Sequence, residues 1–232
     1  MLDYKLPEFE LFHQSFRLII EKKDPLFDIY NSLVENNIET KFNFNILDKD
    51  VNTVINIAPI LINNLSRDQY FIERLPNYYL ARDIRDNIYY LCFKNLMIID
   101  IDINNHDTLL NDDIIIEHFN NIKDKSFSIY KSSNGYHVFC ISEYVDYRDH
   151  KTLDFMINNF CDFYYVVHSF IRGFCVRLNR KFEETNKTEI YKHLAIIDNN
   201  NIIKPLLDLT ELHYEYSITY AKKPLAYCKF HI

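Results

Sequence analysis

Two aspartates stand out as residues with chemistry in their spacing. Asp100 and Asp102 lie in Leu96-Met-Ile-Ile-Asp-Ile-Asp-Ile103. In an extended strand residues i and i+2 share a face, so Ile99, Ile101 and Ile103 turn one way and both carboxylates the other. Two like charges held that close repel unless a cation lies between them, and hard oxygen donors suit Mg²⁺ or Mn²⁺. The plain alternative is an alternating strand whose polar face happens to be acidic, since short D-x-D matches are common. About 35 residues later comes a second chemical cluster, Lys131-Ser-Ser-Asn-Gly-Tyr-His137. Asn134-Gly135 between alternating residues predicts a two-residue type I′ hairpin. That accounts for the turn but not for His137, nor for the paired serines. The chain has only two glycines, Gly135 and Gly173, so each is expected where φ is positive or where backbones approach closely.

The elements that must position these residues follow from periodicity. The first third reads as mainly helical. Phe9, Phe12, Phe16, Ile19 and Ile20 follow Pro7 on a helical face, Asp24-Pro25 opens a second helix, and Lys41–Leu47 alternates like a strand. Val51–Leu65 is a short helix expected to break at Pro59. From Ile88 onward the pattern predicts strands at Ile88–Phe93 and Leu96–Ile103, joined by a tight Lys94-Asn95 turn. It then predicts a helix over Asn111–Lys123, strands at Ser126–Lys131 and Tyr136–Ser142, a helix over Asp149–Cys161, and strands at Tyr164–Phe170 and Phe174–Leu178. The expected fold class is α+β, an antiparallel sheet backed by helices. A mainly helical N-terminal portion is expected over residues 1–85, and a core carrying the site over 86–232.

Taken together, Asp100-Ile-Asp102 and Ser133-Asn-Gly135-Tyr-His137, with one helix between them, resemble the archaeo-eukaryotic primase (primase-polymerase) superfamily and its viral members. The resemblance covers roughly Ile88 to Lys181. It implies an RRM-like core and a metal-dependent nucleotidyltransferase, a DNA primase or polymerase that makes or extends primers in DNA replication. Asp100 and Asp102 would bind Mg²⁺ or Mn²⁺, with Ser133, Gly135 and His137 near the phosphates of the incoming nucleotide. Asp162 is similar to the family's third metal carboxylate, although a polar residue at a helix end reads the same way. Arg172, Arg177, Arg180 and Lys181 form the densest basic stretch, and Arg172, Arg177 and Lys181 resemble phosphate-contacting residues. A solvated charged strand is the plain reading of such a run. In the implied mechanism, two ions activate a 3′-hydroxyl and neutralise the pyrophosphate, while His137 and the basic residues orient the triphosphate. The implied partners are nucleoside triphosphates, a single-stranded nucleic-acid template, and a replication helicase or another basic protein.

Composition limits these expectations. Hydrophobic residues make up 48% and charged residues 25% of 232 residues, which suits a globular protein. No apolar run reaches the roughly 18 residues of a membrane span, and no signal peptide or membrane partner is expected. Five cysteines without a C-x-x-C pair argue against a zinc site or disulfide framework and point to an intracellular, reducing compartment. For a viral protein that means host cytoplasm or a viral replication site. Eighteen Tyr, 18 Phe, no Trp and abundant Asn and Ile reflect an AT-rich genome, so aromatic content is no nucleic-acid signal. A net charge of −7 opposes backbone binding, which relies on Lys and Arg replacing counterions. It favours the alternative of a catalytically inactive primase-fold module for nucleotide, nucleic-acid or protein binding, or a structural role. No P-loop occurs, and Asn104 stands where a haloacid-dehalogenase-type phosphatase wants Thr or Val. A glycosyltransferase would leave the Ser-Asn-Gly-Tyr-His hairpin without a role.

Overall fold

The computed structural model describes residues 49–65, 69–83, 88–103, 110–179 and 191–221. The expected helices before residue 35, the strand at Lys41–Leu47, and Asn104, Arg180 and Lys181 lie outside the described residues. The chain divides into two compact units, Met1–Arg67 and Asp68–Ile232. In the first, helix α1 spans Val51–Leu65. Asp50 caps it, accepting the Thr53 N–H at 2.7 Å, and Val54, Ile57 and Ala58 form a buried stripe at helical spacing. The expected break at Pro59 does not occur. Proline removes one backbone donor, and the remaining turns hold the helix through it.

The second unit is α+β, with two four-stranded antiparallel sheets where sequence predicted one. The first sheet has the order β1-β2-β3-β7, from Gln69–Arg74, Tyr78–Asp83, Ile88–Phe93 and Phe174–Arg177. Its first two strands fall inside the stretch 1–85 that was expected to be mainly helical. The second sheet has the order β4-β6-β5-β8, from Ile98–Asp102, Gly135–Cys140, Phe127–Lys131 and Lys192–Ile197. Strands β3 and β4 are not the expected hairpin, because they enter different sheets. Their link explains it: after an exposed bend at Lys94-Asn95, Leu96 and Met97 are buried and Met97 C=O accepts from Cys140 N–H, so the chain passes through core into the second sheet.

Helices α2 (Asp112–Asn120) and α3 (His150–Asn158) pack on one face of the second sheet. Phe127 of β5 meets Phe119 of α2 edge-on and stacks on Phe155 of α3. Each helix starts at a carboxylate or amide cap: Asn111 accepts from Ile114 N–H and Asp149 from Thr152 N–H. Helix α5 (Lys204–Ala221) lies on the opposite face. Its Thr210 meets the Tyr130 hydroxyl, and His213 lies against the rings of Tyr130 and Phe139.

Helix α4 (Phe163–Arg172) replaces the strand expected over Tyr164–Phe170. Tyr and Val favour strands by composition, but Phe163, Val166, Val167, Phe170 and Ile171 are the buried set, and that spacing is helical. Gly173 ends the helix at φ 88°, its N–H bonding back to Ser169 C=O. This is the left-handed position that favours glycine.

Cys92 and Cys175 stand directly opposite on β3 and β7, Cα atoms 4.1 Å apart, and form a disulfide. The sequence argues against disulfides and for a reducing compartment; this pair, whose members are 83 residues apart, departs from the first expectation and lends no support to the second. Among the described residues no helix is long and apolar enough to cross a membrane.

The start of α2 is tied to the second sheet through Asp112, which accepts from Lys131 Nζ at 2.6 Å and from the Tyr136 hydroxyl at 2.7 Å. The Lys131 ammonium, and then Tyr136, hold the Asp112 carboxyl below its ordinary value of 3.8. A group depressed in the folded state contributes stability above the unfolded value, which is lost as pH falls through the folded one. Asp112→Asn is therefore expected to lower the urea midpoint at pH 7, the gap to wild type closing as pH drops below 3.8. An unchanged gap down to the acid transition would show that the charge of Asp112 is not what stabilises the fold there.

Candidate active site around Asp100

Asp100 and Asp102 end β4 with their carboxylates on one face, as alternation requires, and cross-strand pairing sets what stands beside them. Asp100 is opposite His137, and Asp102 is opposite Gly135. His137 Nε2 lies 3.2 Å from Asp100 Oδ1, with side chains 10% and 34% exposed. The carboxylate is thus partly open while the imidazole is nearly enclosed. Such a contact places the Nε2 proton toward the carboxylate.

Gly135 has no positive φ; its role is close approach. A Cβ there would sit 1.7 Å from Ile101 O, so only glycine lets β6 lie against β4 at this point. The hairpin accordingly departs from the predicted type I′ turn on Asn134-Gly135. Lys131 pairs with Tyr136, Ser132 N–H bonds to Gly135 C=O at 2.8 Å, and Ser133-Asn134 form the tip. Ile103 N–H donates to Asn134 C=O at 3.0 Å, which brings the Ser133 turn to the end of β4 beside Asp102.

Asp162 reaches the same place by another route. Its backbone N–H donates to Asp100 C=O at 2.7 Å, while its side chain caps α4, accepting from Tyr164 N–H at 2.9 Å. It is a helix N-cap, where sequence had offered a residue between a helix and a strand. Cys161, next to it, is buried, and burial followed by the Asp100 charge pushes its thiol up. These two roles of Asp162 separate by substitution. Asn caps as well as Asp does, so Asp162→Asn is expected to keep the melting temperature while removing the charge. Asp162→Ala should lower stability by about 1 kcal/mol. Equal melting curves for both variants would refute the cap.

Arg177 closes β7 in the other sheet. Tyr191 connects it to the site: the Tyr191 hydroxyl donates to Arg177 C=O at 2.7 Å, and its ring lies 4.7 Å from the His137 ring. Arg177 Nε is buried without a hydrogen-bond partner. Arg172 is the last residue of α4, beside the Gly173 turn. The structure thus brings Asp100, Asp102, the Asp162 backbone, His137 and the Ser133 turn together, with Arg177 one side chain away.

Sequence reading missed Tyr191 and His213. His213 is fully buried, and burial, then the neighbouring His137, pushes its pKa well below 6.5. A signal existed: Leu206, Thr210, His213 and Ser217 are one helical stripe of α5. Tyr191 follows residues that carry no pattern. Among the described residues no group of three or more His, Cys, Asp and Glu side chains is gathered closely enough to hold a metal ion. Comparison with protein-family profiles, curated proteins and solved structures finds no match.

Proposed function

We propose that this protein is a metal-dependent nucleotidyltransferase of the primase-polymerase kind, making or extending primers on a single-stranded template. The observation that carries the reading is the pairing of β4 with β6, which puts two aspartates of one strand face beside a histidine from the glycine hairpin. The β4-α2-β5-β6-α3 succession, with β6 between β4 and β5, supports the RRM-like core that the resemblance implies.

The donor set fits a hard divalent cation. Mg²⁺ is commonly bound by one or two carboxylates plus the substrate's phosphates instead of an all-protein cage. Asp100 and Asp102 would hold the ion, with Asp162 adjacent through its backbone tie. When bound, such an ion supplies charge neutralisation at the phosphates and a more acidic attacking hydroxyl. The chain's own residues do the rest. His137 would fix the Asp100 carboxylate from behind, the Ser133 turn would offer a hydroxyl beside Asp102, and Arg177, whose backbone Tyr191 ties toward the site, would supply a guanidinium of the kind suited to phosphate oxygens. A partly enclosed site strengthens each of these interactions relative to bulk water.

A second reading has its own observation. His137 is nearly enclosed and packed against Tyr191 and His213, as in a primase fold retained as a binding or structural module, and the charge of −7 agrees with that. Incubation with Mg²⁺ or Mn²⁺, a single-stranded template and labelled NTPs or dNTPs, with and without primer, separates the two. Metal-dependent product supports the enzyme, and the primer-free lane distinguishes priming from extension. No product, together with no nucleotide–metal binding by calorimetry, leaves the module.

A further inference from the structure

Behind the Asp100–His137 pair lies a second imidazole that the proposed chemistry has not used. His213 of α5 is fully buried, and neither of its ring nitrogens has a hydrogen-bond partner; the Nδ1 of His137 is also buried and unpartnered. Three such nitrogens stand in one chamber. The His137 and His213 ring centres are 5.9 Å apart, and Tyr191 lies against both, at 4.7 and 4.5 Å. Phe139 and Tyr130 close the remaining sides of His213. A buried polar atom left unsatisfied costs roughly 1–3 kcal/mol, so aromatic walls around three of them favour an arrangement in which one of the His213 nitrogens and His137 Nδ1 serve each other.

We infer that His213 is the positioning residue of His137: a neutral His213 N–H donates to His137 Nδ1 and thereby fixes the ring whose Nε2 faces Asp100. One such bond satisfies two of the three nitrogens and leaves the second His213 nitrogen without a partner. The Asp100 carboxylate accepts a hydrogen bond from Nε2–H, which leaves Nδ1 of a neutral ring as a lone-pair acceptor, and a buried neutral imidazole has one N–H to give. A direct N–H···N bond of about 3 Å puts two imidazole centres about 5 Å apart. The observed separation of 5.9 Å is slightly wider, a gap that a small ring rotation closes. A histidine oriented through its far nitrogen is the usual device by which a neighbouring shell fixes a functional imidazole. Rigid placement of Asp100 for metal and phosphate is what the device would achieve here, so the inference deepens the nucleotidyltransferase reading and rests on it only for that purpose.

The test is a ¹⁵N histidine side-chain spectrum of the full chain, with His137 assigned by the loss of its signals in His137→Gln. In wild type the His137 Nδ1 resonance is expected at the displaced position of a hydrogen-bonded acceptor. It should move to the free-acceptor position in His213→Leu and stay in place in His213→Asn, which keeps a donor. If nucleotidyl transfer is detected, His213→Leu should lower kcat about tenfold with KM unchanged, and His213→Asn should restore most of it. A free Nδ1 in wild type overturns the inference without any variant, as does a resonance identical in wild type and a folded His213→Leu. Absence of nucleotidyl transfer beside a wild-type spectrum with hydrogen-bonded Nδ1 overturns the enzyme reading and leaves the histidine pair standing.

Discussion

Neutralising Asp100 and Asp102 together, as Asp100→Asn plus Asp102→Asn, is expected to remove metal-dependent nucleotide incorporation by about 10³-fold or more while leaving the melting temperature close to wild type. The magnitude follows from what a bound divalent ion contributes: several kcal/mol of charge stabilisation, at 1.36 kcal/mol per tenfold in rate. Asparagine is the informative replacement. Its side-chain oxygen still accepts from His137 Nε2, now 3.2 Å from Asp100 Oδ1, so the nearly enclosed imidazole keeps its partner. Alanine would strand it and mix a folding defect with a chemical one. Both single variants should show most of the loss, because residues acting as one unit are far from additive. Incorporation persisting in the double asparagine variant would move the chemistry away from β4. Calorimetry with the nucleotide and Mn²⁺ gives the same comparison for binding.

The second large effect is on stability. Gly135→Ala places a methyl carbon where Ile101 O stands 1.7 Å away, with Ile101 C at 2.8 Å. Both atoms are backbone of a central pairing, so no side chain can swing aside. Overpacking of this kind costs about 3 kcal/mol or more, which for a chain of this size lowers the melting temperature by roughly 6–12 °C. The larger consequence is local. Relief comes only if β6 moves away from β4, and that movement separates His137 from Asp100. Gly135→Ala should therefore lose any activity or metal–nucleotide binding even below its melting point. Asn134→Ala, one residue away at the exposed tip, should stay within about 0.5 kcal/mol of wild type. A Gly135→Ala protein with wild-type melting would mean that Asp102 and Gly135 do not pair, and the register on which the site rests would be wrong.

Much of the local structure was legible because local rules decide it. The facing carboxylates of Asp100 and Asp102 follow from strand alternation, and helices starting near Asn111 and Asp149 from the periodicity that begins there. The two glycines were expected at a positive φ or a close approach, and they divide between those causes: Gly173 has the φ and Gly135 the approach. Where local signals conflicted, the outcome went to the one tied to burial. Residues 163–171 have strand-like composition and helical spacing, and the core chose the spacing. At Asn134-Gly135 the favoured turn dipeptide yielded to a register in which the glycine was needed under β4.

Sequence alone therefore determined that Asp100 and Asp102 share a face and roughly where β3 to β6 and helices α2 and α3 begin, because those depend on spacing within a few residues; β1, β2 and α4 did not show in it. It also supplied the resemblance from which the chemistry is proposed. Only the tertiary structure decided that β3 and β4 enter different sheets, that Asp162 N–H meets Asp100, that Cys92 faces Cys175, and that Tyr191 and His213 stand behind His137. Each is a contact between residues far apart in the chain. Its energy depends on which of many packings buries the most apolar surface with its polar groups satisfied, a property of the whole fold that no short window of sequence contains.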